Sequence, residues 1–96
     1  MMECHEFHFT GHAVKRMFER KISEDDIKEV LRDGKVIEDY PEDFSYPSRL
    51  ISHWVGDRPI HVVAAVAPET KMCYIITVYV PDPIIWDVDF AKRRRP

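Results

Sequence analysis

Several things are scarce in this chain, and each scarcity narrows what it can be. No apolar run approaches the roughly 20 residues that a membrane-spanning helix requires, so no membrane span is expected. The N-terminus is polar and rich in histidine, which does not fit the pattern of a secretion signal. Charge of one sign is also scarce: 14 basic residues stand against 17 acidic ones, a net charge of −3. The molecule is therefore no polycation, and nucleic-acid binding would need a local basic patch. Cysteine is nearly absent. Cys4 and Cys73 lie far apart in sequence, and Cys73 falls in a strand-like run where it reads as a small core residue. A cytoplasmic setting with free thiols is the simplest account.

What is present fits one domain. A chain of 96 residues has room for a single modest core, and 45% apolar with 32% charged content is ordinary for a globular protein. The stretch from Pro59 to Pro81 organises the rest. Its first arm, Pro59 to Ala67, and its second, Met72 to Val80, are dominated by Val, Ile, Tyr and Thr, residues that suit a buried pleated surface. Pro68-Glu69-Thr70 between them reads as a three-residue turn. That turn would set Ala67 opposite Lys71 and His61 opposite Thr77, with Tyr79 diagonal. One face then collects Ile60, Val62, Ala64, Val66, Tyr74, Ile76, Val78 and Val80. The other carries His61, Val63, Ala65, Cys73, Ile75, Thr77 and Tyr79.

Two helices are expected ahead of the sheet. Thr10 caps the first, about Gly11 to Arg20, with Ala13, Val14, Met17 and Phe18 on its apolar side and His12, Lys15, Arg16, Glu19 and Arg20 opposite. His12 and Arg16, four apart, form a possible phosphate-binding pair, although a solvated face explains them as well. The second runs from Ile22 to Gly34. Ser23 caps it, Asp26 takes the reciprocal capping position, Ile27, Val30 and Leu31 make the buried stripe, and Gly34 ends it. Strands follow at Lys35 to Tyr40 and Ser48 to Val55. The loop from Pro41 to Pro47 holds Phe44 and Tyr46 against the body, and Gly56 to Pro59 turns into the hairpin. The register of the second and third strands stays open, so either His53 or Trp54 could sit beside His61.

This order predicts an α+β fold: two N-terminal helices on one face of a four-stranded antiparallel meander. Residues 1–9 form an N-terminal arm, or a short strand at Glu6 to Phe9, and residues 81–96 a C-terminal tail. In that tail Trp86 and Phe90 can anchor a short turn or helix before the basic end Lys92-Arg93-Arg94-Arg95. At the other terminus Cys4, His5, His8 and His12 lie close together, but their spacing matches no zinc-finger or ribbon pattern. Exposed imidazoles on an arm are the plainer account.

Metal-free RNA cleavage needs a base for the 2′-hydroxyl, an acid for the leaving 5′-oxygen and cations for the charge that builds on the phosphate. His61, Thr77 and Tyr79 on one sheet face, joined by His12 and Arg16, would supply those groups. Arg20 and the basic end Lys92, Arg93, Arg94 and Arg95 would hold the RNA backbone.

Other marks run through nearly the whole chain: His12-Ala13 with Arg16-Met17, Arg20 and Ile22-Ser23; Tyr46-Pro47-Ser48; Arg58-Pro59-Ile60-His61-Val62-Val63; Ile75-Ile76-Thr77-Val78-Tyr79; Pro81-Asp82, Trp86, Phe90 and Arg93-Arg94. On these, from about Phe9 to Arg95, the chain resembles a small bacterial family of uncharacterised single-domain proteins, itself similar to the RelE and barnase-like ribonucleases and toxins. The resemblance implies N-terminal helices before an antiparallel sheet that bears the active residues. It implies His12, Arg16, His61, Thr77 and Tyr79 as functional residues, and a toxin role opposite a zinc-binding antitoxin of the MqsA type. The expectation is a cytoplasmic, metal-independent endoribonuclease acting on RNA without a cofactor. Two other readings stand beside it: a non-catalytic module that binds RNA, or docks a partner through a sheet edge or through Trp86 and Phe90, and a metal-binding protein using the N-terminal histidines.

Overall fold

A computed structural model describes residues 3–42, 46–87 and 90–93. Phe44, Arg94 and Arg95 lie outside the described residues. The element order is β1 (Glu6–Phe9), α1 (Gly11–Arg20), α2 (Glu24–Asp33), β2 (Lys35–Tyr40), β3 (Ser48–Val55), β4 (Arg58–Ala67) and β5 (Met72–Tyr79).

The sheet corrects the expected architecture. It has five strands in the order β1-β5-β4-β3-β2, and β1 runs parallel to β5. The fold is therefore α+β with a mixed sheet, not a four-stranded antiparallel meander. The N-terminal segment is an edge strand, because Phe7 and Phe9 point to the core while Glu6 and His8 point away. Thr10 then turns the chain into α1, its hydroxyl accepting the Ala13 N–H and donating to the Ile76 carbonyl.

The free-thiol expectation is also overturned. Phe7 pairs with Cys73 across the parallel ladder, which brings the strand entry close enough for Cys4 to bond Cys73 in a disulfide. The N-terminal donors consequently turn to separate neighbours. Cys4 is bonded, His8 lies against Tyr74 with ring centroids 5.6 Å apart, and His5 faces Glu3 at 3.6 Å.

Both helices cover one sheet face. Ala13, Ile27, Val30 and Leu31 meet Ile51, Ile60, Val62, Ala64, Ile75 and Val78 in a single core. α2 begins with both hydrogen bonds of the Ser23–Asp26 capping box, at 3.0 Å each. Gly34 follows it with no room for a side chain, since an added Cβ would meet the Val30 carbonyl and the Ile51 side chain. Arg58 joins the layers by donating to the carbonyls of Arg20 and Lys21 and to the Asp26 carboxylate. The apolar side of α1 divides: Ala13 and Met17 pack inward, while Val14 and Phe18 are exposed. Among the described residues no helix is long and apolar enough to cross a membrane.

The hairpin has a different register from the one expected. Its turn is one residue longer, with Lys71 in the left-handed region (φ 61°) and Ala67 opposite Met72. A one-residue slip moves every side chain to the other face. Cys73 and Ile75 therefore enter the core side, and Tyr74 leaves it. A bulge at Ile76 then adds a second residue before Thr77 pairs with Val63. Two slips restore parity. Thr77 and Tyr79 return to the face of His61, but Tyr79, not Thr77, stands directly opposite it.

Candidate functional site

The site lies on the sheet face away from the helices. β4 places His61 there, β5 places Thr77 and Tyr79, β3 places Leu50, Ser52 and Trp54, and β2 places Glu38 and Tyr40. The open register is resolved by Ser52, which pairs with His61. Trp54 shares the His61 face, and His53 points to the helix side.

This face is partly covered by the chain after β5. Trp86 meets the His61 ring edge-on at 4.5 Å, and a bridge between Trp86 and Arg93 closes the segment on itself. Phe90, with a left-handed φ of 57°, sends its carbonyl back to the Ser52 hydroxyl and to His61, and its ring meets Trp54. His61 is fully buried as a result.

The partners of His61 fix its protonation pattern. A carbonyl oxygen only accepts, so Nε2, 2.7 Å from the Phe90 oxygen, carries the hydrogen. In the neutral ring Nδ1 is then the lone-pair nitrogen, and it accepts from the Tyr79 hydroxyl at 3.2 Å. Phe90 carbonyl, His61 and Tyr79 phenol form one directed chain, in which a base is held by a third group and acts on a hydroxyl. Tyr79 is only partly buried and lines an open groove of about 730 Å³ with Tyr40, Val63, Ile76 and Thr77.

A second cluster adjoins this chain. The Tyr40 hydroxyl donates to Glu38 at 2.7 Å, and Arg93 pairs with the same carboxylate at 3.3 Å while lying over the Trp86 ring. Burial, followed by the Glu38 hydrogen bond and charge, pushes the Tyr40 pKa up to about 12. Burial likewise raises Tyr79, against the opposing charge of Arg93. His61 is lowered from 6.5, chiefly by burial, with the Phe90 carbonyl and Glu38 opposing. At neutral pH the site therefore holds two neutral phenols and a neutral imidazole beside a carboxylate–guanidinium pair.

The His61 shift makes stability depend on pH. Between 6.5 and the lowered folded pKa the unfolded chain binds more protons than the folded one. The contribution of the neutral ring is thus complete above that ordinary value and is lost as pH falls below it. Urea denaturation between about pH 7.5 and about pH 5 is expected to show this loss, and His61→Gln to flatten the slope.

The structure brings together His61, Tyr79 and Thr77, and adds Arg93. It does not bring His12 or Arg16 to them. Both lie on α1, in the layer across the sheet, where His12 is exposed and Arg16 pairs with Glu19 at 3.4 Å. Arg20 is exposed at the end of α1, and Lys92 is exposed in the C-terminal segment. Glu38 and Tyr40 were not singled out from the sequence. Their alternation along one strand was visible, but their relevance depends on Arg93 folding back from a segment without periodicity.

No curated protein and no solved structure matches the chain. Residues 9–80 match a protein family, from the last residue of β1 to just past the end of β5. The matched span includes His61, Tyr79, Glu38 and Tyr40 but not Trp86, Phe90 and Arg93. The chain belongs to that family, described as a domain of unknown function (DUF4258).

Proposed function

We propose that this protein is a metal-independent endoribonuclease, the toxin of a toxin–antitoxin pair, in which the Tyr79 phenol is the group that meets the RNA. The observation that carries this reading is the hydrogen-bonded chain from the Phe90 carbonyl through His61 to Tyr79, ending at an open groove. The RNA 2′-hydroxyl gives its proton to the Tyr79 oxygen as Tyr79 passes its own to His61 Nδ1. The 2′-oxygen bonds to phosphorus, the bond to the 5′-oxygen breaks, and that oxygen takes a proton from water in the groove. Arg93 balances charge on the phosphate, and Tyr40 and Tyr79 offer ring faces to bases. His61 is a positioning and proton-accepting residue that does not touch substrate. His12 and Arg16 have no part in the step.

The resemblance to RelE-like toxins supports the pairing with an antitoxin, with a zinc-finger protein of the MqsA type as the partner. A cytoplasmic location belongs to the same proposal. The Cys4–Cys73 bond weighs against it, because reducing compartments keep thiols free.

Burial of His61 under Trp86 favours a second reading, a non-catalytic module that binds RNA or a protein on the same tyrosine-lined face. Purified protein and a single-stranded RNA, mixed in excess chelator, separate the two. The nuclease reading expects fragments ending in 2′,3′-cyclic phosphate. RNA that is bound but left whole supports the module, and RNA neither bound nor cut removes the RNA reading.

A further inference from the structure

We propose a divalent-metal site of the zinc type, formed by Glu29 and Asp33 of α2 and His53 of β3, at the seam between the helix layer and the sheet and separate from the tyrosine-lined groove. Glu29 and Asp33 are four residues apart and share one helix face. His53, like Ile51, points from β3 to the helix side of the sheet, and its Nε2 lies 3.0 Å from a Glu29 oxygen. One donor atom from each of the three residues lies within 4.8 Å of the other two.

An ion pair between Glu29 and His53 alone would be an ordinary tie between helix and sheet. The second carboxylate, one helical turn further on, makes the arrangement a three-donor cup. Zinc binds imidazole nitrogen and carboxylate oxygen at about 2.0–2.2 Å, so donors around it stand about 3.4 Å apart. Reaching that spacing needs Glu29 and His53 to part slightly from their 3.0 Å contact and Asp33 to turn, and the Asp33 side chain is 47% exposed and has room to do so. Arg32 already holds that carboxylate through Nε and Nη2 at 3.2 and 3.0 Å, leaving lone pairs for a metal. Such outer partners commonly orient metal-binding carboxylates. A cavity of about 420 Å³ adjoins the cup, walled by Asp33, Lys35, His53 and Trp54, with room for water as the remaining ligand. One nitrogen and two oxygens with an open position suit zinc and its first-row neighbours better than calcium.

The test titrates the full oxidised chain with zinc chloride in chelator-free buffer, and in parallel with cobalt(II). One ion per chain is expected. Glu29→Gln and His53→Ala each weaken binding at least tenfold, Asp33→Asn weakens it several-fold, and the joint replacement of His5, His8 and His12 by alanine leaves it unchanged. Should His53→Ala fail to fold, the near-isosteric Glu29→Gln and the wild-type cobalt complex decide. Paramagnetic broadening centred on the His53 ring and on α2 supports the site. Broadening centred on the N-terminal histidines, or no saturable binding, overturns it.

Discussion

Replacing Tyr79 by phenylalanine is expected to slow RNA cleavage about a hundredfold while the protein stays folded and still binds RNA. The substitution removes one oxygen. It keeps the ring, and with it the edge contact to His61 at a centroid distance of 5.2 Å. The lost hydroxyl leaves Nδ1 without its donor, at a cost of about 1 kcal/mol in stability. The expected loss in rate is larger, because in the proposed step the phenol is the group that accepts the 2′-hydroxyl proton. A hundredfold corresponds to about 2.7 kcal/mol of activation free energy. The effect is therefore expected in kcat, with KM little changed. His61→Ala is a less clean experiment, since it opens a cavity beneath Trp86 and strands the phenol. Undiminished cleavage by Tyr79→Phe would remove the proposed chemistry.

Reducing the Cys4–Cys73 bond is expected to lower unfolding free energy by about 4 kcal/mol, because the bond closes a long loop in the unfolded chain. The two cysteines are 69 residues apart in sequence. For a domain of this size the fall in Tm is roughly 15–30 °C. The same bond fastens β1, which among the described residues is an edge strand paired with β5 alone. Loss of β1 protection from hydrogen exchange is expected before loss of the β3–β4 ladder. A chain whose Tm is the same with and without reductant would show that the bond contributes nothing to the fold.

Much of the local structure was legible because local chemistry decides it. Ser23 and Asp26 mark the start of α2, and Ile27, Val30 and Leu31 its buried stripe. The bounds of β2 and β3 coincide with the runs that suggested them. Long-range pairing was less legible. Four residues at Glu6–Phe9 alternate apolar and polar, but nothing nearby says that they lie parallel to a strand more than sixty positions later. The hairpin register depended on Lys71 adopting a left-handed backbone without being glycine, and on a bulge at Ile76. With both departures in place Ile75 and Val78 face the helices in the core and Cys73 reaches Cys4, long-range consequences that turn chemistry alone does not encode.

The candidate site was legible in part for the same reason. His61 and Tyr79 fall on one face under either register, because two slips cancel. Thr77 kept its face and lost its partner. His12 and Arg16 follow helix periodicity to the solvent side of α1, so their closeness in sequence to a phosphate-binding pattern carries no closeness in space to His61. Glu38 and Arg93 meet only because residues after β5 lie back across the sheet, with Trp86 seated on His61.

In the proposed step a buried imidazole, held in one tautomer by the Phe90 carbonyl, accepts the Tyr79 proton. Nitrogen-15 NMR of the His61 ring tests it most directly. The expected spectrum has a protonated Nε2 and a lone-pair Nδ1, and the ring stays neutral as pH falls below the ordinary histidine value of 6.5. A ring protonated at Nδ1, or one that gains its charge at that ordinary value, would contradict that step.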